Sequence, residues 1–337
     1  MKGVTQLVKA LYIMNDQSFD LVYPPDVRRE LEALAEIYAP KQTKSSVTEN
    51  PATLRDVEVI FSGWGGPKLD EEFLKAAPNL KALFYGAGTI KQIATEQSWN
   101  RGIVITTAAF ANAIPVAEYT LSQILFCLKD GWRLVREIQK DHKYPAKPLH
   151  VSGAFRSTVG LISLSKVGRI VCELLKPFDI DVIAYDPFVK SEEAKELNVK
   201  LCSIEDIFEN ADIVSLHAPL LEETRGMITG EHFKLMKSYS SFINTARGAI
   251  IREEEMIEVL KERGDITAVL DVTFPEPPVK ESPLYSLPNV ILTPHLAGSV
   301  GQECGRMGSY MLEEFKRYLS GEELKWQVTR EQFEIMA

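Results

Sequence analysis

Residues 160–168 read GLISLSKVG. They join an apolar run, TVGLI, to KVGRIVCELLK, whose apolar residues recur at helical spacing, so the stretch predicts a strand that turns directly into a helix. A turn of that kind offers the amides of a helix N-terminus to an anion. The glycine fingerprint of dinucleotide-binding turns, G-x-G-x-x-G, is kept only at its last position: Ser163 and Ser165 stand at the first two and Gly168 at the third. Serine is small and its hydroxyl can donate to a phosphate oxygen, so a diphosphate held by backbone amides still fits such a turn.

The surroundings strengthen this reading. The next apolar run, DVIAYD, ends at Asp186. A carboxylate at that strand end accepts hydrogen bonds from adenosine ribose hydroxyls and repels a 2′-phosphate, which favours NAD over NADP. TVGLIS, DVIAYD, ADIVSLHAP, SSFINTARG, ITAVLDV and NVILTPH are almost continuously apolar and are separated mostly by helical sequence. That pattern predicts parallel strands buried on both faces, under helices.

Upstream, KALYIM (9–14), VEVIFSG (57–63), KALFYGAG (81–88) and GIVITT (102–107) predict a second, smaller α/β unit, with a helix in LDEEFLKAAP capped by Asp70 and followed by Pro78. Pro115 suits the first turn of a helix running to about Gln139, on which Ala117, Leu121, Ile124, Leu125, Leu128, Trp132 and Val135 form one apolar stripe. A last amphipathic segment, 305–319, is free to return to the first unit. The expected fold is α/β with two doubly wound parallel-sheet domains: residues 1–114 and 305–337 form one discontinuous domain, and 115–304 form a Rossmann domain inserted in it.

Composition narrows the function. Among 337 residues, 47 are acidic and 38 basic, a net charge of -9, and the basic residues are scattered. Nucleic acid and anionic membrane surfaces are therefore not expected partners. The N-terminal apolar run is interrupted by Lys9 and too short for a signal peptide or a span, which suggests a cytoplasmic protein. Cys127, Cys172, Cys202 and Cys304 lie far apart without metal-ligand spacing, so buried thiols and no metal are expected.

Three strand ends carry unusual polar residues: Arg247 in INTARGAI, Glu276 in LDVTFPEPP and His295 in ILTPHLAGS. Ligands of doubly wound sheets bind at the C-terminal ends of strands, so all three can face one crevice. Singly, each has an ordinary explanation as a surface or capping residue. In combination, the segments VGLISLSKVGRIV, DIVSLHAPLLEETRGMI, FINTARGAIIREEEMIEVL, LDVTFPEPP and NVILTPHLAGS, in this order and spacing, strongly resemble the D-isomer-specific 2-hydroxyacid dehydrogenase family. The resemblance covers most of residues 105–305 and is thinner before them, where KALFYGAGTIK looks like the family's substrate-binding loop.

The resemblance implies an NAD-binding Rossmann domain inserted in a flavodoxin-like substrate domain. It implies hydride transfer between the nicotinamide and a small 2-hydroxy or 2-keto acid. It assigns His295 as acid and base, Glu276 as its partner, and Arg247 to the substrate carboxylate and carbonyl. Around NAD it places Ser165, Lys166 and Val167 at the diphosphate, Asp186 at the adenosine ribose, and Pro219 and Thr224 at the adenosine wall. Thr245, Ala246 and Arg247 come beneath the nicotinamide ribose, His295 beside the nicotinamide, and Asp271 at the carboxamide. His217 joins the cofactor wall or is a buried structural histidine. Ala87 and Gly88 offer amides to the substrate carboxylate, and Asn112 borders the same cleft. Ile90 departs from the family's polar residue and leaves substrate choice open; Trp64 packs against its loop or lines the substrate side.

The family also implies a homodimer, built through the nucleotide domain and the 115–139 helix, with hinges near 112–118 and 300–305. The competing expectation is an NAD(H)-sensing, corepressor-like binding protein with little turnover, which would bind NADH tightly yet reduce no keto acid.

Overall fold

Short apolar runs become parallel strands throughout this computed structural model, which describes residues 7–146 and 150–336. Residues 147–149 of the polar connection and the first six residues of the N-terminal run lie outside the described residues. The chain divides into two compact units, Met1–Asn112 with Ser299–Ala337, and Ala113–Gly298.

The first unit holds β1 (Val8–Ile13), β2 (Ala35–Ile37), β3 (Val59–Ser62), β4 (Ala82–Tyr85) and β5 (Val104–Thr107) in the order β2-β1-β3-β4-β5, all parallel. This is the flavodoxin order. The unexpected strand is β2, whose three residues are too few to show a period. Asp70 caps the helix Glu71–Ala76, accepting from the Phe73 amide at 3.0 Å. Phe315 of the returning helix Cys304–Ser320 meets Phe61 and Phe84 edge-on, with ring centroids 5.0 and 5.4 Å apart. Glu314, fully buried on that helix, accepts from the amides of Lys325 and Trp326, each at 3.0 Å. Trp64 packs into the core on its inner side.

The second unit holds β6 (Ser157–Ile162), β7 (Ile180–Tyr185), β8 (Lys200–Leu201), β9 (Ile213–Leu216), β10 (Ser241–Asn244), β11 (Thr267–Leu270) and β12 (Val290–Leu292). Their order is β12-β11-β10-β9-β6-β7-β8, again all parallel. Strand order reverses between β6 and β9, and such a switch point opens a crevice at the C-terminal strand ends. Strands β9, β10 and β11 are buried along their whole length, so their sequences carry no in-and-out alternation. The two-residue β8 has no such signal.

One expected element differs. The long helix starts earlier, as Ala109–Leu128 with Pro115 inside it, and a second helix, Gly131–Asp141, follows. Asp130, at φ 52°, interrupts the helical path where the apolar stripe runs on unbroken in sequence. Across the break Trp132 packs on Phe126 at 4.9 Å and donates to Gln123 Oε1 at 3.0 Å, but the second helix buries no residue fully and Val135 is exposed, so the expected stripe is packed only as far as Trp132. The first division therefore falls inside a helix, after Asn112, instead of after 114. The second falls after Gly298 instead of after 304, because Ser299 donates to Asn112 Oδ1 at 2.8 Å and Cys304 lies in the first unit's core. Among the described residues, no helix is long and apolar enough to cross a membrane.

Close approach to Val22 makes Gly308 necessary: a Cβ there would lie 1.8 Å from the Val22 carbonyl oxygen, whereas one at Gly264 would meet nothing within 4 Å. Gly308→Ala is expected to lower unfolding stability by about 1–3 kcal/mol through overpacking, and Gly264→Ala to stay within about 0.5 kcal/mol. Urea denaturation of the two variants checks the contrast.

Candidate active site

At the end of β6 the chain turns through Ser163, whose φ of 78° is a backbone conformation normally left to glycine. Its amide donates to Tyr185 O at 2.7 Å and its hydroxyl to Asp186 Oδ2 at 3.1 Å. The helix Lys166–Leu175 follows, with Ser165 at its N-cap. Ser165 supplies no side-chain cap; its hydroxyl donates to His217 O at 2.8 Å, across the switch point. The amides of Lys166, Val167 and Gly168 find no acceptor among the described residues, as expected of a helix start. Gly168 allows the turn to close, since a Cβ there would lie 2.3 Å from Ser163 O. Free amides, an exposed Lys166 and a close-packed glycine fit a diphosphate, so the two serines do not remove the anion site.

Asp186 is more engaged than expected. Oδ2 also accepts from the Leu164 amide at 2.8 Å, and Oδ1 accepts from the amides of Phe188 and Val189 at 2.9 and 3.2 Å. His217 is 5% exposed, its Nε2 lies 2.9 Å from Ser215 Oγ, and burial pushes its pKa down to about 3. Its ring is neutral, and its carbonyl accepts from the Ser165 hydroxyl at the turn. Thr224 Oγ1 donates to Pro219 O at 2.6 Å and accepts from the Leu221 amide at 2.8 Å, which fixes the loop after β9.

Arg247, Glu276 and His295 lie beyond the ends of β10, β11 and β12, in one unit. The β10 end is tightly held: Asn244 Oδ1 accepts from the Ala246 amide at 2.9 Å, and Thr245 Oγ1 lies 3.2 Å from Thr120 Oγ1. A Cβ on Gly248 would come within 2.0 Å of the Thr273 carbonyl carbon, so the loops after β10 and β11 touch. The Arg247 side chain donates to Ala246 O at 2.6 Å; burial lowers its pKa while the Glu276 charge opposes that shift. Guanidinium remains the charged form.

His295 Nδ1 lies 2.6 Å from Glu276 Oε1. A carboxylate only accepts, so Nδ1 carries the proton and Nε2 is the free nitrogen. Both side chains are nearly half exposed, 47% and 41%, and a pair so exposed adds at most about 1 kcal/mol to stability. Its effect is on tautomer and orientation.

The loop carrying His295 is fixed by Asp271, which is 2% exposed. Oδ1 accepts from Thr293 Oγ1 at 2.6 Å and the Leu296 amide at 2.9 Å, and Oδ2 from the Ala297 amide at 3.0 Å. Tyr119 Oη, on the long helix, lies 3.0 Å from Thr293 Oγ1. Thr293 and Tyr119 are thus positioning residues that the sequence did not reveal, because their spacing has no local signature.

In the first unit, the Ala87 amide is already used, donating to Tyr85 O at 2.8 Å. The Gly88 amide has no acceptor among the described residues, and the Gly88 carbonyl accepts from the Thr107 hydroxyl. Ile90 is fully buried in the core, which explains an apolar residue there. Among the described residues no three His, Cys, Asp or Glu side chains gather as a metal site.

Comparison with known proteins agrees with this architecture. Residues 121–297 match the NAD binding domain of the D-isomer specific 2-hydroxyacid dehydrogenases. The chain is 31% identical over 299 residues to D-3-phosphoglycerate dehydrogenase of Methanocaldococcus jannaschii, covering 88% of this chain and 56% of that protein. It therefore spans about half the length of that relative. Among solved structures, D-lactate dehydrogenase of Aquifex aeolicus, complexed with NAD and lactic acid, is 25% identical with a TM-score of 0.68, covering 93% of this chain and 96% of that one. An NAD-complexed D-isomer specific 2-hydroxyacid dehydrogenase of Lactobacillus delbrueckii has the same fold, with 22% identity, a TM-score of 0.77, and coverage of 96% and 100%. The chain belongs to the D-isomer specific 2-hydroxyacid dehydrogenase family, and NAD is its cofactor.

Proposed function

We propose that the protein is an NAD-dependent oxidoreductase that interconverts a small 2-hydroxy acid and its 2-keto acid. The observation that carries this reading is the 2.6 Å contact between His295 Nδ1 and Glu276 Oε1 beyond the strand ends of the Rossmann unit. With Nδ1 committed to the carboxylate, Nε2 gives its proton to the developing alkoxide in reduction and takes the hydroxyl proton in oxidation. The cofactor, when bound, would supply the hydride as NADH in reduction and accept it as NAD⁺ in oxidation. Arg247 holds the substrate carboxylate with its planar fork and polarises the adjacent carbonyl. In the first unit, the Gly88 amide is the donor left for a carboxylate, since that of Ala87 is spent within the loop.

For the cofactor we assign the amides of Lys166 and Val167, with the Lys166 charge, to the diphosphate. Thr245 and Ala246 are assigned to the nicotinamide ribose, and Pro219 and Thr224 to the adenosine wall. Asp271 accepts three hydrogen bonds of the roughly four that a carboxylate can take, which leaves Oδ2 one position for the carboxamide NH₂. Asp186 is assigned to the adenosine ribose. His217 supports the turn through its carbonyl, with no direct cofactor role.

The relatives' names supply phosphoglycerate and lactate as substrates to try. NADH oxidation should be followed with glyoxylate, hydroxypyruvate, pyruvate, branched and aromatic keto acids, and the keto acid of 3-phosphoglycerate. Turnover with at least one is expected; silence across the panel with intact NADH binding would overturn the reading. His295→Ala is expected to lower kcat by about 10²–10⁴-fold while NADH affinity, from fluorescence titration, stays nearly unchanged. Loss of both together would make His295 structural. Glu276→Gln keeps the shape but removes the carboxylate, and kcat is expected to fall by about 10- to 100-fold with the same unchanged titration.

A further inference from the structure

Asp186 has no acceptor position to spare. A carboxylate takes about four hydrogen bonds, and this one already has four: Phe188 and Val189 amides on Oδ1, the Leu164 amide and the Ser163 hydroxyl on Oδ2. Three of these come from the backbone and are fixed by the shape of the strand end and turn. The fourth comes from a side chain that the glycine fingerprint would not have there. Its distance, 3.1 Å, is longer than the 2.8 Å of the Leu164 amide on the same oxygen, so it is the weaker of the two.

We propose that Ser163 is a built-in competitor for the ribose acid: its hydroxyl occupies the Asp186 oxygen that an adenosine ribose hydroxyl would take. NAD binding then exchanges a hydrogen bond at this place instead of gaining one. Ser163 thereby sets both the affinity for the cofactor and its dependence on the ribose 2′-hydroxyl. The inference rests on the assignment of Asp186 to the adenosine ribose made above. Removal of the side chain is structurally safe, because φ at this residue is 78°, which glycine adopts freely, and the backbone bond from Ser163 to Tyr185 O needs no side chain.

The test is a fluorescence titration of the full chain with NADH and with NADH lacking the adenosine 2′-hydroxyl, for the wild type, Ser163→Gly and Ser163→Ala. In the wild type the two ligands are expected to bind within about twofold of each other, and in Ser163→Gly NADH alone is expected to tighten by about fivefold, the size of one net hydrogen bond. Ser163→Ala separates the hydroxyl from backbone freedom: it should show the same gain in preference, and if only the glycine variant gains, the inference falls. A wild type that already loses about fivefold or more without the 2′-hydroxyl would overturn the inference while leaving Asp186 at the ribose. Absence of any preference in all three proteins would remove Asp186 from the ribose site and the inference with it. Thermal midpoints within a few degrees of the wild type establish that the variants are folded.

Discussion

A buried carboxylate, Asp271, holds in place the loop of the second unit that carries His295. Such a group is tolerated away from water only when donors replace its hydration, and here all three donors come from the loop that follows β12. The same loop contains His295, whose own amide donates to Asp271 O and Thr293 O at 3.0 Å while its φ is 53°. The imidazole therefore does not hang from a free loop. Its backbone is pinned on one side by Asp271 and its ring on the other by Glu276. The ring remains nearly half exposed, and with Nδ1 on Glu276 its Nε2 is the nitrogen not engaged by that pair.

Loops elsewhere are tied by the same device. Glu314 gathers the segment after the last long helix of the first unit, and Asp186 gathers the turn after β6 with the start of the segment after β7. In each case one carboxylate satisfies several amides that no strand or helix can reach. Two of these acids, Asp186 and Asp271, are also the ones we assign to NAD. Their acceptor counts separate them: Asp271 has a position left and Asp186 has none.

Much of this was legible in the sequence, for a physical reason. Strands buried on both faces write themselves as continuous apolar runs, so the strand set of both units could be read, with the exceptions of AEI at 35–37 and KL at 200–201, which are too short for any pattern. That Arg247, Glu276 and His295 lie beyond strand ends was legible because each is a polar residue following an apolar run. The break at Asp130 was not, because a left-handed aspartate leaves the apolar stripe intact on either side. Nor were the partners of Ser163, Ser165 and Thr293: their bonds span 23, 52 and 22 residues and depend on the strand order, which propensities do not contain.

The serine turn shows how a departure from a fingerprint is absorbed. A non-glycine residue in the left-handed region costs about 1–3 kcal/mol unless its surroundings over-determine it. Ser163 is over-determined, by its amide on Tyr185 O and its hydroxyl on Asp186. Ser165 is absorbed differently: with φ of -61° it carries no strain, and its hydroxyl is taken by the His217 carbonyl at the neighbouring strand end. That bond joins β6 to β9 across the switch point, and the neutral, buried His217 ring rests on Ser215 behind it. Ser165 thus stiffens a turn that glycine would leave looser, while the Ser163 position is held by a backbone bond that glycine would keep. A stiff turn keeps the amides of Lys166 and Val167 aimed at one place, so for the diphosphate we assign to them part of the ordering that binding would require is already done by the fold.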